Sequence, residues 1–238
     1  MIRRTRLALT CLISALALAA TRGAEPSGND QPGPGPLARL SPALTNSTPS
    51  PRLNFEPAET SIWENGVGNG FHPTAQSLGL SVGGTRGVDV FGTREVHDLA
   101  LVTLSYGHML GPVRGEGHWY RGNLELRAEL FGGAQVSPDN EWIVGLTPHL
   151  RYHFATGTRW IPFFDVGAGV TGTGIGAPDL SGTFQFNLQA GGGIEWFVTD
   201  KMALTLEARY LHLSCASISK PNLGVNGVTG MLGVIIFF

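Results

Sequence analysis

The 238-residue chain has little cysteine, few long apolar runs and no excess of basic residues, and each shortage excludes a class of protein. Only Cys11 and Cys215 are present, and Cys11 lies in an N-terminal segment typical of a cleaved signal peptide. Without that segment Cys215 stands alone, so no intrachain disulfide can form. After residues 7–20, no segment approaches the roughly 20 apolar residues that a membrane-spanning helix needs. The sequence therefore excludes both a disulfide scaffold and a helical membrane protein.

Residues 1–57 have the composition of an export signal followed by an unstructured leader. Arginines at positions 3, 4 and 6 precede an apolar stretch that ends in small residues, so residues 1–24 are predicted to be a secretory signal peptide. Residues 25–57, rich in Pro, Ser, Gly and Asn, are predicted to be a disordered leader, which leaves 58–238 as one domain. Removing residues 1–24 takes away four arginines and no acid, which changes the formal net charge from −2 to −6. A chain this acidic is not expected to bind nucleic acid.

The remaining sequence alternates between apolar and polar residues in segments of about ten residues, which is the period of a half-buried β-strand. The segment around residues 142–154 is the clearest example, and no stretch sustains a helical period. Eight strands are predicted, at 75–83, 98–107, 119–131, 141–154, 160–172, 182–197, 201–214 and 226–238. The pattern predicts an all-β chain, either an eight-stranded antiparallel transmembrane barrel or a soluble barrel or sandwich.

Two features favour the outer membrane of a Gram-negative cell. Aromatic residues such as Trp142 and Tyr152 lie at the ends of apolar faces, and ten tilted residues match the height of the apolar band of an outer-membrane barrel. The chain ends in Gly233, alternating apolar residues and Phe238, which resembles the C-terminal signal of outer-membrane proteins. With both termini in the periplasm, segments 84–97, 132–140, 173–181 and 215–225 are predicted to be extracellular loops, and 155–159 and 198–200 periplasmic turns.

His212 and Ser214 stand out because they continue the apolar face of the seventh strand, where lipid-facing residues are expected. Histidine is the usual base that activates a serine nucleophile, and a third group should orient its ring. Asn226, at the start of the eighth strand, is the candidate for that third position. The predicted topology places these residues at the outer end of the barrel, next to the leaflet that holds lipopolysaccharide.

The tail from His212 to Asn226 resembles the lipid A 3-O-deacylase (PagL-like) family of eight-stranded outer-membrane serine hydrolases. His212, Ser214, Ala216, Pro221, Asn222 and Gly224 match the family signature His-x-Ser-Asn-Ala followed by Pro-Asn-x-Gly-x-Glu. The resemblance implies an esterase that acts on the 3-O position of lipid A, with Ser214 as nucleophile and His212 as base. Asn226 occupies the place of the family's glutamate.

The same resemblance implies that the stretch after Ser214 supports the oxyanion, with Cys215, Ala216 and Asn222 as candidates. Cys215 stands where the family has asparagine. No cofactor and no metal are implied, and the implied partners are lipopolysaccharide and the outer membrane. Oligomeric state is left open, with a homodimer among the possibilities.

Two alternatives follow from the residues. His149 and His153 share the inward face with Arg151, and alternate histidines can bind metal, but the pattern favours a polar network with Glu125, Arg127 and Glu129 inside the barrel. The second alternative is a small structural, porin-like or ligand-binding barrel that retains the family's tail without its activity.

Overall fold

The computed structural model describes residues 72–90 and 92–238, and over this part of the chain it contains eight β-strands. The predicted signal peptide, the leader and the start of the predicted domain lie outside the described residues. The strands are β1 (Gln76–Gly87), β2 (Asp98–Met109), β3 (Gly122–Ser137), β4 (Trp142–Phe154), β5 (Trp160–Thr173), β6 (Phe184–Phe197), β7 (Met202–Ser214) and β8 (Val225–Phe237).

Each strand pairs antiparallel with its neighbours, and β1 pairs with β8 to close the barrel. Closure brings Ser77 opposite Phe237 at one end and Gly87 opposite Gly227 at the other. A closed sheet has no free edge, so every strand can satisfy its backbone hydrogen bonds within the barrel. The predicted eight-stranded antiparallel barrel is confirmed. The described residues contain no helix that is long and apolar enough to cross a membrane.

The alternation in the sequence becomes an apolar outer face and a polar interior. On β1, Leu78, Leu80 and Val82 are each about half exposed on the outside of the barrel. On β7, Glu207 and Arg209 point inward and are 3% and 4% exposed. This arrangement reverses that of a soluble barrel and suits a hydrocarbon surrounding, because the charged groups find their partners inside.

The middle of the interior is an ionic network centred on two arginines. Arg151 lies 2.6 Å from Asp165, 3.3 Å from Glu195 and 2.9 Å from Glu207, measured between side-chain nitrogen and oxygen atoms. Arg209 lies 2.7 Å from Glu129 and 2.5 Å from Glu207. His153 contacts Glu125 at 3.1 Å, so the predicted pairing is confirmed for these two residues, whereas Glu129 pairs with Arg209. Buried charges need such partners because isolated ions are costly to move out of water.

Apolar side chains close the interior above and below this network. One cluster, which includes Met109, Phe197 and Phe237, lies at the end where the last strand finishes. The other includes Leu180 and Leu213 and lies at the end where residues 215–224 connect β7 to β8. A cavity of about 10 Å³ beside Arg209 has room for about one water molecule. Large interior side chains such as Arg127 and Arg151 are 2% or less exposed, so they fill the middle of the barrel.

Two strands extend further than the alternation predicts. β1 continues to Gly87 and β3 to Ser137, so the predicted loops 84–97 and 132–140 are too long. The glycine pairs at 83–84 and 132–133 lie within these strands. A Cβ atom at Gly83 would collide with the carbonyl oxygen of Gly230, so glycine is needed there for close strand approach.

Candidate active site

The candidate site lies on the outside of the barrel at the end of β7 and the beginning of β8. Tyr210, His212 and Ser214 point outward and are partly exposed, whereas Leu211 and Leu213 between them are buried in the interior. The strand register places His212 directly opposite Asn226. Neighbouring strands are about 5 Å apart, so an imidazole can reach a side chain on the next strand. The barrel therefore brings together the three residues that the sequence selected.

Consecutive hydrogen bonds connect these three side chains. His212 Nε2 lies 3.2 Å from Ser214 Oγ, and His212 Nδ1 lies 2.7 Å from Asn226 Oδ1. Because the amide oxygen only accepts, the contact requires the proton of a neutral His212 to be on Nδ1. Nε2 then carries the lone pair that can accept the hydroxyl proton of Ser214. This is the arrangement of a serine, a general base and an orienting acceptor.

Asn226 is 2% exposed, although the lower residues on its face of β8 point toward lipid. Its Oδ1 also accepts a hydrogen bond from Tyr210 Oη at 2.6 Å, and its Nδ2 donates to the carbonyl oxygen of Val90 at 3.4 Å. No role was predicted for Tyr210 or Val90 from the sequence. The signal for Tyr210 was present, because it lies two residues before His212 on the same strand face. No pattern could have indicated Val90, which is 136 residues from Asn226.

The turn after Ser214 has an unusual backbone that is supported by Asn222. Ala216 and Ser217 adopt left-handed conformations with φ of 51° and 64°. The Cys215 N–H donates to Asn222 Oδ1 at 2.9 Å, and the Cys215 thiol is buried against Ser219. Consecutive N–H groups in such turns can form a concave site for an anion. Asn222 therefore supports the turn after Ser214, and the Cys215 thiol contacts Ser219.

Asp179 connects three loops around the site. Its carboxylate accepts hydrogen bonds from the backbone N–H groups of Arg94 and Glu95 and contacts His97 Nε2 at 2.9 Å. Its backbone carbonyl accepts from the N–H groups of residues 223 and 224. Gly224 has a φ of +88°, and a Cβ there would come within 3.0 Å of the His212 ring. Asp179 therefore fixes a loop segment that packs against the proposed base.

Glu95, His97 and Asp179 also bring three possible metal-ligand atoms within 4.8 Å of one another. Both Asp179 carboxylate oxygens already accept hydrogen bonds within this cluster. A cation would have to displace these bonds. We therefore interpret the hydrogen bonds of Asp179 as a structural connection between loops, and call this group of contacts the loop clamp.

Asp179→Asn is expected to loosen this clamp, because a neutral amide cannot accept from all three donors. Hydrogen bonds to a charged group contribute about 1.5–3 kcal/mol, so local protection should fall by more than tenfold. Hydrogen exchange measured by mass spectrometry should show the loss at residues 92–97 and 222–224, with Asp139→Asn as the control on an exposed loop. Unchanged protection in both segments would contradict the clamp.

Residues 101–234 match the family model of the lipid A 3-O-deacylase (PagL). That match covers more than half of the chain. The chain belongs to the PagL family. Like other members, it is a protein of the Gram-negative outer membrane.

Solved structures with a similar fold include three outer-membrane proteins. The outer membrane enzyme PagL has a TM-score of 0.49 and 18% identity, over 66% of this chain and 97% of that chain. Neisserial surface protein A (NspA) has a TM-score of 0.46 and 15% identity, over 69% and 97%. The outer membrane protein OprG from Pseudomonas aeruginosa has a TM-score of 0.42 and 12% identity, over 71% and 98%. No curated protein matches by sequence.

Proposed function

We propose that this protein is a serine esterase that removes an ester-linked acyl chain from lipid A, at the 3-O position. The observation that carries the proposal is the hydrogen-bonded chain from Ser214 through His212 to Asn226 on the lipid-facing side of the barrel. Membership in the PagL family supports lipid A as the substrate class and is the reason for proposing the 3-O ester.

The surface beside the site suits an acyl chain. Phe186 on β6 lies opposite Ser214, and Leu188 lies opposite His212. Both apolar side chains are on the outside of the barrel, 38% and 50% exposed. An acyl chain that remains in the outer leaflet can contact this surface while its ester reaches Ser214. The substrate then does not need to leave the membrane.

The reaction follows from the hydrogen-bond directions. Ser214 Oγ attacks the ester carbonyl carbon while His212 Nε2 takes its proton, and the carbonyl oxygen becomes an oxyanion. Backbone N–H groups of the left-handed turn, with Ala216 as the foremost candidate, stabilise that charge. The intermediate breaks the bond to the sugar oxygen, which takes the proton from His212. Water, deprotonated by His212, then releases the fatty acid from Ser214.

Asn226 supports a second candidate function. An amide orients His212 but carries no negative charge to stabilise the imidazolium that forms. A weak or inactive barrel with a structural or lipid-binding role would share every other feature of the site.

The two functions are separated by incubating purified, folded protein with lipid A in detergent and analysing the products by mass spectrometry. A deacylase releases one 3-hydroxy fatty acid, and fragmentation of the remaining lipid assigns the vacant position to 3-O. A preparation of Ser214→Ala controls for contaminating hydrolases. Unchanged lipid A after prolonged incubation with the wild type would favour the non-catalytic barrel, and loss from another position would correct the assignment.

Asn226→Glu is expected to raise deacylation by about 10- to 100-fold, because the carboxylate supplies the missing charge beside His212. Replacing aspartate by asparagine in a serine protease triad costs about 10⁴-fold, partly through the wrong histidine tautomer. In this protein His212 already has the productive tautomer, so the expected gain is smaller. Initial rates with lipid A measure it, with Asn140→Asp as an amide-to-acid control on an exposed loop. A lower rate in folded Asn226→Glu would mean that Asn226 does not occupy the acidic position of a serine–histidine–acid triad.

A further inference from the structure

Asn226 can present either of two groups to His212, and only one supports catalysis. With Oδ1 toward the ring, His212 holds its proton on Nδ1 and Nε2 can accept the serine proton. With the amide turned over, Nδ2 would donate to Nδ1 and the ring proton would move to Nε2. A ring protonated on Nε2 cannot act as base toward Ser214. A glutamate has no such ambiguity because both of its oxygens accept.

Two neighbours of Asn226 favour the productive orientation. Tyr210 Oη lies 2.6 Å from Asn226 Oδ1, on the same side as His212. The Val90 carbonyl oxygen, which can only accept, lies 3.4 Å from Nδ2 on the other side. Turning the amide over would place Oδ1 against that carbonyl, where neither group can donate. The tyrosine hydroxyl would then face Nδ2 and could only accept from it, which is the weaker hydrogen-bonding role of a phenol oxygen.

We propose that Tyr210 is a positioning residue that holds the Asn226 amide with its oxygen toward His212, and so sets the tautomer of the base. Tyr210 does not touch the reacting atoms; it acts through Asn226. This role rests on the proposed function for its catalytic consequence, but the effect on the tautomer does not. The chain thereby retains an oriented base although the acidic member of the family signature is missing.

The first test reads the tautomer directly and requires no lipid. Nitrogen–proton correlation spectra of histidine-labelled protein in detergent, at a pH where the ring is neutral, distinguish Nδ1–H from Nε2–H rings. The His212 signals are assigned by their loss in His212→Gln. In the wild type His212 should carry its proton on Nδ1, and Tyr210→Phe should shift part of the population to Nε2–H. A wild-type tautomer in Tyr210→Phe would overturn the proposal.

Tyr106→Phe is the matched control. Tyr106 is another outward tyrosine, and its hydroxyl donates to Gln76 Oε1 at 2.6 Å, on β1 and β2 and away from the site. It tests whether loss of any tyrosine hydroxyl on the outer face disturbs the barrel. Heat-modifiable gel migration verifies that each variant is folded. The His212 spectrum should be unaffected by Tyr106→Phe.

The second test measures coupling in the deacylation reaction. Tyr210→Phe should lower kcat about five- to tenfold with little change in KM, the effect expected for losing one neutral hydrogen bond. In the Asn226→Glu background the same change should cost less than about twofold, because a carboxylate needs no such hold. Equal losses in both backgrounds would assign Tyr210 to packing. The expected tautomer shift without any deacylation would overturn the proposed function and leave the positioning role intact.

Discussion

Ser214→Ala is expected to abolish lipid A deacylation, with a loss of at least about 10³-fold. Removing the nucleophile of a serine hydrolase leaves only the assistance of oxyanion donors and substrate binding. The adjacent thiol is not expected to replace it, because Cys215 is buried and its thiol contacts Ser219 in the turn after β7. The rate of fatty acid release, measured by mass spectrometry, tests this expectation.

Ser219→Ala provides the matched control within the same loop. Ser219 lies in the loop between β7 and β8, where its hydroxyl bonds to Ser181 and to the Cys215 thiol. We expect this variant to keep most of the wild-type rate. A fluorophosphonate probe should label wild type and Ser219→Ala at Ser214 and fail to label Ser214→Ala. Deacylation by folded Ser214→Ala at the wild-type rate would exclude the proposed nucleophile.

Arg151→Met is expected to destabilise the barrel by about 3–5 kcal/mol. The arginine neutralises carboxylates on three strands, and removing one partner of a buried ion pair leaves uncompensated charge. Methionine keeps apolar packing against the ring of Phe163, whose centroid lies 3.7 Å from the guanidinium carbon. The loss therefore reflects charge more than volume. Urea titration of the folded barrel in lipid vesicles, followed by gel migration, measures the difference.

Arg86→Met is the control for Arg151→Met. Arg86 pairs with Asp98, but its side chain is 78% exposed. Exposed pairs contribute about 0–1 kcal/mol, so this variant should unfold close to the wild type. Similar losses in the two variants would show that the interior network does not hold the barrel together in the manner proposed.

The fold could be predicted largely because a barrel strand repeats every two residues. The inward position of Arg209 and the outward position of His212 both follow from counting along β7. Strand ends were less predictable, because Gly83 and Gly133 resemble turn residues in sequence. Their function becomes clear only when the backbones of neighbouring strands are seen to approach each other.

The candidate site also contains residues that the sequence could predict and contacts that it could not. Ser214, His212 and Asn226 could be selected because two lie on one strand and the third follows a matching signature. The contacts of Val90 and Asp179 could not, because they depend on which loops meet above the barrel. Asp179 is 82 residues from His97, and no local pattern links them.

The sequence alone determined the number of strands, the face on which each side chain lies and the identity of the proposed nucleophile and base. The number of strands and the faces follow from local periodicity, which depends only on neighbouring residues. The proposed nucleophile and base follow from the resemblance of residues 212–226 to the family signature. Only the tertiary structure decided that Asn226 presents its oxygen to His212. That choice depends on a tyrosine hydroxyl and a distant carbonyl, which are brought to the same amide by barrel closure and loop packing.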